Sequence, residues 1–169
     1  VVGRYRGQAV GWDVINETVG DNGDGWRDSL WARKLGRLEH MVLAFQHAHE
    51  ADPNAVLFLN DFFLETQPRK RTTFLKLAET LLKAGAPLGG LGTQTHLAAG
   101  DQKGLIKAAI ADLASLGLPI HISEMDVSLQ EGGSRTERLT RQADLYREAA
   151  EAFSALPRRQ QFAFTTWGL

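Results

Sequence analysis

Two glutamates, Glu17 and Glu124, each stand where a short β-rich run of the sequence ends. Because functional side chains of parallel α/β proteins gather at the carboxyl ends of the strands, both carboxyl groups are expected at one rim. Such a pair suits glycoside hydrolysis: one protonates the leaving oxygen, while the other, ionised, attacks or stabilises the sugar cation. Burial and mutual repulsion raise the pKa of one carboxyl group and so divide the roles. Strand position alone leaves a second interpretation open, in which each glutamate only forms an ion pair at the rim.

Polar and aromatic side chains end the other β-rich runs as well. Asn16 precedes the first glutamate, where its amide can hold a sugar hydroxyl near the reacting carbon. Gln94 and His96 stand at the end of the third run, and His96 is a candidate hydrogen-bond partner of the second glutamate. Both are equally compatible with satisfied polar groups between layers. Trp167 ends the last run and offers a flat apolar surface on which a pyranose ring can stack.

Three further residues of these runs have less distinctive chemistry. Asn60 ends the second run, where it either contributes to the site or only caps a turn. Asp126 follows the fourth run and either joins the site or only orients loop backbone. Trp12 lies inside the first run, and we assign it to packing.

The chain has 169 residues, of which 43% are hydrophobic and 23% charged, an ordinary globular composition that suits one domain. Disorder as the main state needs low hydrophobicity and high net charge, so it is excluded. A formal net charge of −1 argues against a nucleic-acid partner. Without cysteine there is no disulfide or thiol chemistry. Without a run of about 18 apolar residues, no membrane span is predicted.

No motif predicts a metal or a cofactor. The acidic loop 21–25 lacks the alternating ligands and the closing glutamate of a calcium-binding loop. His40, His47 and His49 form no HExxH motif, and a solvated helix face explains them better. A phosphate-binding glycine motif is also missing, which counts against nucleotide-dependent chemistry.

The whole pattern alternates β-rich and helical runs. Strands are predicted over 8–16, 55–60, 88–95, 119–124 and 161–167. Helices are predicted over 27–50, from Pro68 to Gly85, from Asp101 to Gly117, and from the capping box Ser134-Arg135-Thr136-Glu137 onward. Such alternation means parallel strands joined by helical crossovers. Two architectures fit, an open doubly wound sheet and about five-eighths of an eight-stranded barrel, which usually needs about 250 residues.

Several segments resemble one known family. Residues 12–17, Trp-Asp-Val-Ile-Asn-Glu, are similar to the acid/base motif of the family-10 glycoside hydrolases, the endo-β-1,4-xylanases. Residues 121–126, His-Ile-Ser-Glu-Met-Asp, resemble that family's nucleophile strand, usually ITELD. Residues 92–96 resemble its GxQxH strand, residues 60–62 its NDY or NDF segment, and residues 166–168 its final TWG. The motifs occur in family order over nearly the whole chain.

The resemblance implies an α/β fold, a partial (β/α)8 TIM barrel covering about the fourth to eighth strands, with residues 1–169 as the C-terminal part of one catalytic domain. It implies a retaining double displacement with Glu17 as acid/base, Glu124 as nucleophile, and carboxyl groups about 5–5.5 Å apart. Asn16, Gln94 and His96 would surround the cleaved sugar, and Trp167 would form part of its aromatic floor. Xylan or a xylo-oligosaccharide would be the substrate, without a cofactor, and an extracellular location is expected from the resemblance alone.

The departures from the family concern completeness. The chain begins just before the family's fourth strand and ends inside a strand, so it is expected to be a piece of a longer protein. Its first and last strands are then expected to be open edges, completed by the rest of the barrel, by another chain or by a second copy. Two other functions stay open: a non-catalytic carbohydrate-binding remnant, and a half-barrel fragment that acts only by complementation.

Overall fold

A computed structural model describes residues 1–130 and 132–168. Strands and helices alternate along these residues, as the sequence predicts. The strands are β1 Gly11–Asn16, β2 Val56–Asp61, β3 Gly90–Thr93, β4 His96–Ala98, β5 Ile120–Ser128 and β6 Gln161–Thr166. The helices are α1 Leu30–Leu35, α2 Glu39–Ala51, α3 Pro68–Lys83, α4 Leu105–Ala114 and α5 Arg135–Ser154. None of these helices is long and apolar enough to cross a membrane.

All the strands pair in parallel. The main sheet has the order β1-β2-β3-β5-β6, and the short β4 pairs with the carboxyl-terminal part of β5, with His96 opposite Asp126. Within the described residues, β1 pairs only with β2 and β6 only with β5, so the sheet has two open edges. Because all these strands run parallel, their carboxyl ends lie together and form one rim of the sheet.

Alternate residues of the strands face the helices and form the core. Leu57, Leu59, Leu91, Ile120 and Ile122 are fully buried and pack in one cluster with the apolar faces of the helices. The helical residues of this cluster include Phe45, Phe74, Leu77, Ile106, Ile110 and Leu145. This burial fixes which strand residues face the helices, and hence which polar residues lie on the opposite, inner face of the sheet.

The inner face is crowded near its centre, and glycine provides the space. The ring of Phe58 packs against the rings of Phe162 and His121, with centroids 4.6 and 5.5 Å apart. A Cβ atom at Gly90 would overlap the Phe58 ring, and one at Gly92 would overlap the side chain of Asn60. Small residues at these positions let the larger side chains of β2 lie across β3.

The helix predicted over 27–50 is two helices. Gly36 lies between α1 and α2 with a φ of 97°, a conformation that interrupts a helix and favours glycine. Ser29 begins α1, its hydroxyl accepting a hydrogen bond from the Ala32 amide at 3.0 Å. Apolar residues recur through 27–50 at spacings of three and four, which predicts one buried stripe. The start of this stripe is wrong, because Trp31 and Leu35 are exposed at 63% and 47%.

Other boundaries differ because of local turns. The third predicted strand, 88–95, is shorter in the structure, where β3 ends at Thr93, and a turn at Thr95, whose φ is 59°, separates it from the unpredicted strand β4. Asp101 does not cap α4: its carboxylate accepts the Ala98 amide at 2.7 Å. Glu148 of α5 accepts the amides at the start of α4 instead. The capping box that begins with Ser134 is confirmed.

Candidate active site

Glu17 follows β1 directly and is held on two sides. Its backbone has a φ of 56°, and its amide donates to the carbonyl oxygen of Asn60 at 2.9 Å. The side-chain amide of Gln94 donates to Glu17 Oε1 at 3.0 Å and to Asn16 Oδ1 at 3.2 Å. Gln94 is buried, whereas Glu17 is half-buried. The predicted trio of Asn16, Glu17 and Gln94 is therefore one hydrogen-bonded group.

Asn60 connects the ends of three strands. It is fully buried, its Nδ2 donates to Asn16 Oδ1 at 3.0 Å, and its Oδ1 accepts the Ser123 hydroxyl at 3.0 Å. Asn60 therefore joins β1, β2 and β5 beneath the rim instead of only capping a turn. The sequence places it at a strand end, but its partners depend on the register between strands.

Glu124 and His96 meet on the other side of the rim. His96 Nε2 lies 3.6 Å from Glu124 Oε2, and His96 Nδ1 lies 3.0 Å from Asp126 Oδ1. Asp126 thus holds the imidazole ring with its second nitrogen toward Glu124. This contact agrees with the partner predicted for His96, and it gives Asp126 a role beyond orienting backbone.

The electrostatic surroundings of Glu124 disfavour its charge. Burial raises the pKa of Glu124 above its ordinary value, while His96 opposes this rise. The negative charges of Asp13 and Glu17 raise the pKa further. Because the charge of Glu17 acts on Glu124, the two carboxyl groups share one electrostatic environment. The raised pKa belongs to the predicted nucleophile, so contact with His96 is what favours the ionised form that this role needs.

Trp167 lies at the same rim with an open face. Its amide donates to the carbonyl oxygen of Met125 at 3.0 Å, and its ring meets that of His96 edge-on at a centroid distance of 6.3 Å. The side chain is 60% exposed. An exposed indole fixed beside a polar cluster is suited to stacking against a sugar ring.

A cavity of about 450 Å³ opens beside this cluster. His96 and Asp126 line one wall, and Phe63, Thr66 and Gln67 from the loop after β2 line another. Phe63 has a φ of 58°, so left-handed residues follow the ends of β1, β2 and β3 at one rim. Non-glycine residues in this conformation are uncommon and cluster at functional sites.

Two buried charged groups beneath the rim carried no signal in the sequence. Glu65, in the loop between β2 and α3, is fully buried and accepts hydrogen bonds from the hydroxyls of Thr93 and Thr95. Lys70 of α3 is fully buried with its Nζ 2.8 Å from Asp61 Oδ1. Both are charged residue types outside the strands, and only the packing of α3 against the strand ends brings them beneath the site.

Two residues of the acidic loop and the histidine group, Asp21 and His40, have partners within the chain. Asp21 forms an ion pair with Arg27 at 2.6 Å, and His40 Nδ1 lies 2.8 Å from the Gly36 carbonyl oxygen. Among residues 1–130 and 132–168, no three histidine or acidic side chains are grouped so as to hold a metal ion.

The parallel sheet and the carboxyl pair at its rim define the class of the protein, that of the parallel α/β proteins with a candidate active site at the carboxyl ends of the strands. The family model described as glycosyl hydrolase family 10 matches residues 1–169. The chain therefore belongs to glycosyl hydrolase family 10. The resemblance read from the motifs is confirmed, as is the expectation of a partial (β/α)8 barrel.

Relatives and solved structures agree with this family. Endo-1,4-beta-xylanase B of Paenibacillus barcinonensis is 39% identical over 178 residues, covering 100% of this chain and 53% of that protein. Xylanase 10B from Thermotoga petrophila RKU-1, solved in complex with xylobiose, gives a TM-score of 0.87 at 31% identity, covering 99% of this chain and 50% of that one. TsXylA, an intracellular xylanase from Thermoanaerobacterium saccharolyticum, gives 0.85 at 34% identity, covering 99% and 51%. The chain thus spans about half the length of these relatives.

Proposed function

We propose that this chain carries the catalytic pair of an endo-1,4-β-xylanase that cleaves internal bonds of xylan with retention. The observation that supports this most is the pairing at the rim: Glu17 is held by Gln94, and Glu124 lies against His96. The xylobiose complex of the Thermotoga petrophila relative supports a xylo-oligosaccharide as the ligand. The assignment of residues 1–169 to the C-terminal part of one barrel domain stays a prediction.

The proposed reaction has two displacements. In the first, Glu17 gives its proton to the glycosidic oxygen while Glu124 attacks the anomeric carbon, so the glycosidic bond breaks and a glycosyl ester forms. In the second, Glu17 takes a proton from water, the water oxygen attacks the anomeric carbon, and the Glu124 carboxylate leaves. We expect the two carboxyl groups to lie about 5–5.5 Å apart, the separation that retention requires.

The neighbouring side chains divide the remaining work. Gln94 and Asn16 present amide groups toward the acid/base and the sugar hydroxyls, and His96 stabilises the ionised form of Glu124. Trp167 would supply the apolar surface under a pyranose ring. No step needs a metal or an organic cofactor.

The open edges imply a partner for the sheet. We propose that the working enzyme covers β1 and β6 with further β/α units, from the rest of its polypeptide, another chain or a second copy. Parallel strands of (β/α)8 barrels have neighbours on both sides, which supports this arrangement. We also propose an extracellular location from the family resemblance alone; recovery of the native protein from washed cells, and not from the medium, would contradict it.

The first test is hydrolysis of an aryl β-xylobioside by the purified protein and two variants. Glu124→Gln should abolish turnover because the amide is no nucleophile. Glu17→Ala should lower the rate on xylan about 10²–10⁴-fold, the usual contribution of acid–base catalysis. It should spare kcat/KM for the aryl substrate, whose leaving group needs no proton, while kcat falls because the second displacement loses its base. Equal and complete loss on both substrates would contradict the role of Glu17.

Calorimetry with xylotetraose distinguishes the proposed enzyme from a non-catalytic carbohydrate-binding protein. A non-catalytic carbohydrate-binding protein would bind this ligand through Trp167 and Gln94 and form no product. If the isolated chain is inactive and the missing strands restore turnover when added in trans, the chain acts by complementation.

A further inference from the structure

Glu65 is a buried carboxyl group that the proposed reaction does not use. It lies at 0% exposure, and its Oε1 accepts the Thr93 hydroxyl at 2.6 Å and the Thr95 hydroxyl at 2.8 Å. Its Oε2 is also buried and has no hydrogen-bond partner among the residues the structure describes. A buried acceptor without a partner lowers the free energy of unfolding. Stabilisation of the fold therefore does not by itself explain why a carboxyl group lies at this position.

The two threonines stand on either side of Gln94. Thr95 has a φ of 59°, an outlier for a β-branched residue, which persists only where surrounding contacts enforce it. The backbone N–H of Gln94 donates a hydrogen bond to the Asp61 carbonyl oxygen at 3.0 Å. His96 follows Thr95 directly and begins β4. The strained turn is therefore the segment through which the chain changes from β3 to β4.

This turn directs the functional side chains on its two sides, Gln94 and His96, toward different carboxyl groups. Before it, Gln94 reaches Glu17 Oε1 at 3.0 Å; after it, His96 Nε2 lies 3.6 Å from Glu124 Oε2. A change in the Thr95 backbone would move both contacts together. The oxygen that accepts both threonine hydroxyls, Glu65 Oε1, therefore lies beneath the one turn on which both contacts depend.

We propose that Glu65 is a positioning residue: by binding the Thr93 and Thr95 hydroxyls it holds the left-handed turn that aims Gln94 at Glu17 and His96 at Glu124. The effect of Glu65 on turnover rests on the proposed function, whereas its effect on the contact between His96 and Glu124 does not.

The test removes the hydroxyl group and keeps the shape. Thr95→Val has the same branching but cannot donate to Glu65, whereas Thr95→Ser keeps the donor. Glu65→Gln is the conservative partner variant, because its amide oxygen can still accept both hydroxyls. Thr73→Val is the matched control: Thr73, on α3, also donates a hydroxyl, to the Gly23 carbonyl oxygen at 2.7 Å.

Two readouts are used, the carbon NMR titration of the Glu124 carboxyl group and the kinetics on an aryl β-xylobioside. Glu124 faces His96 from β4, and Asp13 and Glu17 from β1 and its end. When His96 moves away, the group that lowers the pKa of Glu124 is lost, so this pKa should rise in Thr95→Val. We expect kcat to fall at least about tenfold, with KM within about twofold. A tenfold loss in rate corresponds to only about 1.4 kcal/mol in the activation free energy, which a small displacement of His96 can cause.

Thr95→Ser and Glu65→Gln should recover most of the parent titration, and Thr73→Val should leave it unchanged. A Thr95→Val protein with a lowered Tm but the parent titration of Glu124 would overturn the proposal. If Thr95→Val does not fold, Thr93→Val provides the same readouts. The titration needs no turnover, so an inactive parent would bear on the proposed function alone, and the NMR comparison would still decide the positioning role.

Discussion

His96 is the residue on which the protonation of the candidate nucleophile depends most directly. Burial raises the pKa of Glu124, and His96 opposes that rise. Ionisation of Glu124 is thus costlier in the folded protein, so its contribution to folding is most favourable at low pH and is lost as the pH rises through the raised pKa. A nucleophile must be ionised, so activity depends on pH in the opposite direction: it appears as the pH rises through this pKa.

Replacing His96 should therefore move the acid limb of the activity profile. In His96→Gln the pKa of Glu124 should rise, and the acid limb of kcat/KM for an aryl β-xylobioside should shift to higher pH. His47→Gln is the control, because the His47 side chain is exposed and its ion-pair partner is Glu50, away from the rim. An unchanged limb, or a shift to lower pH, would show that His96 does not stabilise the ionised nucleophile.

Residue types at strand ends were enough to predict most of the candidate site. Glu17, Gln94, His96 and Glu124 could be found because parallel strands deliver their carboxyl ends to one rim. The partners of Asn60 could not be found this way, since they depend on the register between strands. Glu65 had no signal, because a loop residue acquires its neighbours only when the helix after it packs.

At the scale of elements, apolar spacing predicted which runs are strands and helices but not every break. The stripe over 27–50 continues at spacings of three and four across Gly36, so periodicity alone joins α1 to α2. The break follows from the backbone of one glycine. Similarly, β3 and β4 are separate because of a turn at Thr95, whose residue type does not favour a left-handed backbone.

The close approach of β2 and β3 makes a prediction about stability. A methyl group at Gly90 would overlap the ring of Phe58, so Gly90→Ala should lower the free energy of unfolding by about 1–3 kcal/mol, as overpacking in cores does. Urea unfolding measures this. Gly3→Ala is the matched control, because a Cβ there meets only the Ala51 Cβ at 3.8 Å.

A second variant tests the cause. Combining Gly90→Ala with Phe58→Leu removes the ring from the overlap. The double variant should therefore lose less free energy of unfolding than the sum of the losses in the two single variants. If the two substitutions are simply additive, crowding between β2 and β3 is not the reason for the loss.

At the scale of the molecule, the sheet is open on both sides within the described residues. Beside β1, a cavity of about 370 Å³ is lined by Val14, Ile15, Trp31, Leu35 and Leu43, among others. An unpaired edge beside exposed apolar side chains favours pairing with another chain. The resemblance to part of a barrel predicted these edges, since five of eight barrel strands leave the first and the last of the five without neighbours.

The isolated 169-residue chain should therefore self-associate. Sedimentation over a range of concentrations should show species heavier than the 18.6 kDa monomer. Val14→Lys should reduce the association, because a charged side chain at an edge strand opposes pairing. Leu139→Lys, on the exposed surface of α5, should not. A well-behaved monomer with one cooperative unfolding transition would contradict this expectation.

The left-handed backbones of Glu17, Phe63 and Thr95 have a consequence for protein engineering. Each costs of order 1–3 kcal/mol, which a residue that tolerates this conformation would recover. Random libraries screened only for survival of heating should therefore enrich glycine or asparagine at 63 and 95. The selected variants should have a higher unfolding temperature and a lower turnover rate. A screen that scores sugar release after heating would remove such clones and direct improvement to surfaces far from the rim.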